Sequence, residues 1–311
     1  MAPRLLRTAA RLALALGALA ATAVPAAAAP AAAPWTAALD GCPGTGPLRP
    51  CLALGTPQRL GDGLVRTYAR LDHGRPLSVG ILYSDRALDH LPTAMTDGHH
   101  CFDVDGDGRT DPMTECAGSH ERVLPLPAAL LRMPDMPLKW ALVNWNPMGH
   151  PPAAVFDRPH FDNHFYLQPK AERDAIRPGP CRGLTNCADY ATATRPVPAE
   201  YLPADHQNKN ITEVAMGNHL PDLTSPEWHG APFTKTFVYG SYDARITFLE
   251  PMVTLATLRD ARTSDPATAC SPVKQPKAWQ QPGWYPRSYC VGYRPDRHAY
   301  SVSLEDFALH R

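Results

Sequence analysis

Thirty-five prolines are spread through the 311 residues of this chain, and they limit what it can fold into more than any other feature. Proline removes a backbone donor and clashes with the preceding helical turn, so it stops long helices and sits mainly at strand edges and in turns. Between the prolines lie β-type runs at residues 64–71, 77–83, 122–127, 138–145, 160–167, 234–242, 245–255, 288–293 and 298–309. Two pairs read as hairpins: 64–71 with 77–83 through the turn DHGRP, and 234–242 with 245–255 turning near Tyr242, Asp243 and Ala244. Helical spacing is confined to 85–92 and 170–176, one or two turns each. The pattern predicts a mainly β chain, a single antiparallel β-barrel or β-sandwich over residues 61–311 with long loops and few short helices. Residues 30–60, the N-terminal connector, and 261–286 read as loosely structured links.

Residues 1–29 read as a signal peptide: Arg4, Arg7 and Arg11, a short apolar run, then small residues offering cleavage near Ala27 or Ala29. That run is too short and alanine-rich to favour a membrane span, so secretion without membrane insertion is expected. All eight cysteines lie beyond it, and an even number in an exported chain reads as disulfides. They fall into close neighbours, so the expected bridges are local: Cys42 with Cys51, Cys101 with Cys116, Cys181 with Cys187, and Cys270 with Cys290. Losing the signal's arginines leaves a mildly acidic chain, with no basic field for nucleic acid.

The stretch CFDVDGDGRTDPMTEC (101–116) has calcium-loop spacing. Asp103, Asp105, Asp107 and Asp111 fall at positions 1, 3, 5 and 9 of an EF-type loop, Gly108 at the sharp turn, and Arg109 where a carbonyl ligates. Thr114 stands where the bidentate glutamate belongs and Glu115 comes one residue late, so the expectation is a disulfide-bracketed structural calcium loop rather than an EF-hand sensor.

The stretch PHFDNHFYL (159–167) sets His160, Asp162, His164 and Tyr166 on one face of a strand, with Phe161, Asn163, Phe165 and Leu167 on the other. On a flat strand His160 and His164 are about 13 Å apart between Cα atoms, whereas i,i+2 neighbours are about 7 Å apart. Pairing Asp162 with one histidine is therefore easier than sharing one ion between both. His150 in NPMGHPP, His219 in a second glycine-containing turn, and Glu250 among apolar residues of a hairpin strand are further candidate ligands. Converging in a barrel, three or four imidazoles and a carboxylate would make a site for zinc, iron or manganese. Ordinary neighbours are the competing assignment, with Glu250 paired to Arg245 or Lys235. His120 and Glu121 are a weaker pair of the same kind.

No G-x-S-x-G, phosphate loop, G-x-G-x-x-G or H-E-x-x-H occurs, which disfavours nucleotide chemistry and standard serine hydrolysis. The strings ECAGSHERVLPLP, NPMGHPPAAVFDRPHFDNHFYL, MGNHLPDLTSPEW and PFTKTFVYGSYDARITFLEPMVTL resemble the TTHB-like family of exported bacterial proteins of unknown function, over roughly residues 60–309. The resemblance implies a β fold outside the cytoplasm and supplies no activity. Leu220 departs from it, an aromatic being expected there. The expected function is a secreted metal-binding β-domain. The alternatives are a metal-dependent small-molecule enzyme, of hydrolase or oxygenase type with Tyr166 or Asp162 carrying protons, and a non-catalytic envelope barrel that is structural or binds a ligand. A small molecule and a second copy of the chain are the partners that fit.

Overall fold

The computed structural model describes Trp35, Cys42 and residues 50–311; the signal-peptide assignment and most of the N-terminal connector lie outside the described residues. Fifteen strands form among them, and the chain builds one sheet, then a second, then returns to the first. The first group is β1 (Cys51–Leu54), β2 (Gln58–Leu60), β3 (Gly63–Asp72) and β4 (Arg75–Ser84). The middle of the chain gives β5 (His120–Pro125), β6 (Trp140–Asn146), β7 (His160–Tyr166), the short β8 (Pro178–Cys181), β9 (Ile211–Glu213), β10 (Gly217–Pro221), β11 (Lys235–Tyr242) and β12 (Arg245–Thr254). The chain then ends with β13 (Thr268–Pro272), β14 (Gly283–Arg294) and β15 (Ala299–His310). Sheet I runs β1-β3-β4-β15-β14-β13 with β2 on the edge of β3; sheet II runs β5-β6-β7-β12-β11-β10-β9, and every pairing in both is antiparallel.

Both expected hairpins form, β3–β4 closing at Asp72↔Arg75 and β11–β12 at Tyr242↔Arg245. Strands also occupy Cys51–Leu54, Gln58–Leu60 and Thr268–Pro272, inside stretches read from sequence as links. These short segments lie at sheet edges, where neighbouring strands dictate conformation more than their own pattern does. The α-helices stay short, the longest being Cys187–Ala193. All four expected disulfides are present, and no free cysteine is found among the described residues. None of the described helices is long and apolar enough to cross a membrane.

The sheets pack face to face through one core. Val79, Ile81, Tyr83, Val302 and Leu304 of sheet I meet Val143, Trp145, Phe161, Phe165, Leu249 and Val253 of sheet II. Each such side chain contributes roughly 1.5–3 kcal/mol by leaving water. β7 thus turns Phe161 and Phe165 to the core and His160, Asp162, His164 and Tyr166 to the far side of sheet II, as strand alternation requires. That far side is not open to water. Trp140, Leu142, Tyr166, Met216 and Phe248 form a second apolar cluster on it. The loop residues Phe156 and Phe233 cover Val238 and Met252 beside it.

Two local features shape this outer face. Pro251 lies in the central strand β12 and has no N–H to give. The β12–β7 ladder pairs Leu249 with Phe165 and Met252 with Asp162 but skips the two rungs between, which carry His164, Glu250, Asn163 and Pro251. The Asn163 amide donates to the Pro251 carbonyl there (3.1 Å). Gly240 of β11 lies opposite Phe248, and a Cβ at Gly240 would stand 2.1 Å from the Phe248 ring. The ring lies flat over the glycine because nothing projects from it. Gly240→Ala should therefore dislodge Phe248 and destabilise the fold by about 1–3 kcal/mol, read as a fall of several degrees in a thermal melt; an unchanged melting temperature would refute this packing role.

Candidate metal centre

The six residues singled out as transition-metal ligands meet on the outer face of sheet II as two groups of three, not around one point. His150, His160 and Asp162 form one trio; His164, His219 and Glu250 form the other. Within each, one ligand atom per residue lies within 4.8 Å of the others. Strand geometry explains the division. His160 and His164 sit too far apart along β7 to share an ion, so His160 pairs with Asp162 and the strand hands His164 to its neighbour β12.

In the first trio Asp162 Oδ1 is 3.1 Å from His160 Nε2, and Oδ2 is 3.5 Å from His150 Nε2. His160 Nε2 and Asp162 Oδ1 are buried and make no hydrogen bond with good geometry, to each other or to anything else. Ligands bound tetrahedrally at 2.0–2.1 Å are separated by about 3.3 Å, close to both spacings. The rings are held from behind. A carbonyl only accepts, so His160 Nδ1 donates to the Arg158 carbonyl (2.6 Å) and His150 Nδ1 to the Pro151 carbonyl (2.8 Å), which turns each Nε2 toward Asp162. The Asn146 amide donates to Asp162 Oδ2 (2.7 Å). Burial pushes the Asp162 carboxyl up, but the His160 and His150 rings outweigh it and hold the group well below the usual range. Burial lowers His150 while Asp162 raises it, with a net rise. Gly149 precedes His150 at φ +73°, and a Cβ there would stand 2.2 Å from the Phe156 carbonyl oxygen; only glycine turns the chain so tightly here.

In the second trio His164 Nε2 is 3.4 Å from Glu250 Oε1 and His219 Nε2 is 3.8 Å from Oε2. His219 lies in strand β10, not in the turn its glycine suggested, and its Nδ1 donates to the Ile211 carbonyl (3.2 Å). Phe248 packs against both rings, edge-on at 4.8 Å from His164 and tilted at 5.1 Å from His219. Glu250 is 1 % exposed and meets neither Arg245, which reaches Glu172 (4.0 Å), nor Lys235, which donates to the Ala269 carbonyl (3.2 Å). Burial, reinforced by the Asp162 charge, raises Glu250 well above the carboxylate range. Burial lowers His164 to about 3 and His219 to about 4. Both His164 nitrogens and Glu250 Oε2 lack hydrogen-bond partners. These imidazoles are neutral and ready to donate lone pairs, whereas the carboxyl has to lose a proton to do so.

Around the trios, Tyr166 stacks between His164 (5.7 Å) and Trp140 (4.0 Å). His120 and Glu121 do not join a metal group: His120 Nε2 donates to the Ala94 carbonyl (2.7 Å), while Glu121 pairs with the buried Arg173 and with His100 and is lowered to about 2, burial opposing and these partners prevailing. Glu213 of β9 is the residue sequence reasoning missed. It lies on the side of the hairpin that carries His219 and is pushed up to about 7 by burial, with His150 pulling the other way. Only the β9–β10 register could have drawn attention to it.

In the loop between Cys101 and Cys116, Asp103, Asp105 and Glu115 bring carboxylate oxygens together. Glu115 turns inward and accepts from the Val104 (2.6 Å), Asp105 (3.2 Å) and Asp111 (2.9 Å) amides. The Asp103 oxygens take the Gly106 and Gly108 amides, whereas Asp107 and Asp111 stand outside the trio and accept from the Arg109 and Met113 amides. Glu115, one residue later than an EF-type loop places its glutamate, is thus the carboxylate that turns into the loop.

Compared with known proteins, no family model, curated protein or solved structure matches this chain. The site stands on its own geometry. Because burial raises Glu250 well above the carboxylate range while it lowers both imidazoles, ion binding at the second trio in mild acid should release the Glu250 proton, and affinity should rise with pH. Calorimetry in two buffers of different ionisation enthalpy, in a His160→Ala background that disables the first trio, counts it. Release of two or more would mean that His164 or His219 is charged beforehand.

Proposed function

We propose that this is an exported metal-binding β-protein in which each trio of two histidines and a carboxylate takes one transition-metal ion and the 101–116 loop takes structural calcium. One observation carries the transition-metal reading. Three of the four imidazoles fix Nδ1–H on a backbone carbonyl and aim Nε2 at a buried carboxylate with which no proper hydrogen bond forms. Folded proteins seldom leave such groups unsatisfied, and metal sites orient histidine in this way. Mixed nitrogen and oxygen donors suit zinc, iron or manganese. The strings behind the resemblance to exported β-proteins contain the same six residues. Local disulfides suit an oxidising compartment.

A metal-dependent enzyme is the second reading, favoured by one feature. His150 and His219 keep 31 % and 17 % of their side chains exposed, whereas His160, His164 and Glu250 are sealed, so each trio has one accessible flank.

Elemental analysis of the tag-free protein should find close to two transition-metal ions per chain; His160→Ala and His164→Ala should each remove one and leave circular dichroism unchanged. A metal-free parent that unfolds on either substitution would show that the histidines only pack. Calcium should slow proteolysis within residues 103–111, and Asp103→Asn should abolish that protection; equal cleavage with and without calcium would sink the calcium assignment.

A further inference from the structure

The accessible flanks of the two trios are not bare. Side chains alternate along β9, and its register pairs Ile211 with His219 and Glu213 with Gly217. Glu213 therefore projects on the same side of the hairpin as His219, and Gly217 opposite offers no side chain to cover it. Its charge also acts on His150, the accessible member of the first trio. The carboxylate is half-buried, joins neither trio, and makes no hydrogen bond or ion pair with any described residue. A carboxylate removed partly from water without a partner is unfavourable unless something else meets it. Six candidate ligands are fixed at close range, while this further carboxyl group stands on the same face without joining either trio.

We propose that Glu213 is the proton acceptor for a water held at the open flank of the metal centre, and that the site hydrolyses esters. The proposal rests on the metal reading above. A bound cation acidifies water and polarises an ester oxygen. Glu213 takes one proton from that water, the water oxygen bonds to the ester carbon or phosphorus, and the bond from that atom to the leaving oxygen breaks. The leaving group departs as an anion or takes a proton from solvent, and Glu213 returns its own to solvent. No electron changes hands.

The test uses the full chain loaded with zinc, its zinc content measured on the same sample, with p-nitrophenyl acetate and bis(p-nitrophenyl) phosphate as probes. Turnover of at least one probe is expected, and which one identifies acyl or phosphoryl transfer. Glu213→Gln should lower kcat by about 10²-fold or more with zinc content, KM and circular dichroism unchanged, and Glu213→Asp should recover part of the loss. Full zinc with no turnover of either ester overturns the proposal, as does a Glu213→Gln variant that matches the parent or loses zinc. A parent that takes up no zinc overturns instead the metal reading beneath it.

Discussion

Taking ionisable groups out of water is the constraint around which this molecule is organised. Two carboxylates, Asp162 and Glu250, and the rings of His160 and His164 are buried on one face of sheet II. An isolated buried charge is destabilising by several kcal/mol after relaxation, so each group needs a partner or has to be neutral. The two trios meet that requirement differently. Around Asp162 the charge is retained between two imidazoles and an asparagine amide. Around Glu250 it is suppressed, the carboxyl keeping its proton and the rings staying neutral. In the second arrangement polar atoms remain without partners inside an apolar surround of Phe248, Tyr166 and Leu142.

The β-framework makes that arrangement possible through small departures from regularity. Pro251 interrupts the ladder at the rung beside the one where His164 and Glu250 face each other, so the two side chains meet across a gap rather than across paired backbone. Gly240 gives up its side chain so that Phe248 can lie across it and pack against both His164 and His219. Gly149 turns the loop that brings His150 back over β7. An unbroken, fully substituted sheet would fill this space with apolar side chains.

Much of this was legible in the residues themselves. Proline density and alternating runs indicate a mainly β chain, and cysteine proximity indicates each bridge, because a local bridge needs no knowledge of topology. The face assignment on β7 follows from strand alternation alone. The division into two trios was implicit in the spacing of His160 and His164, but which trio each residue joins depends on the β7–β12 and β10–β11 registers, and those bring together residues far apart in sequence. Glu213 was invisible for the same reason: nothing in ITEVAMGNH marks it until the β9–β10 hairpin sets it beside His219. The strands Cys51–Leu54 and Thr268–Pro272 were missed because edge position, not their own composition, makes them strands.

The chain path also has a consequence for how the molecule is born. Sheet II is assembled wholly from the middle of the polypeptide, whereas sheet I joins its beginning to its end, Ser84 of β4 pairing with Ala299 of β15. Closing so large a loop is slow. During synthesis, sheet II can fold while β3 and β4 still wait for β15 to arrive. Pulse-labelled hydrogen exchange would register this as early protection in β6, β7 and β12 and late protection in β4.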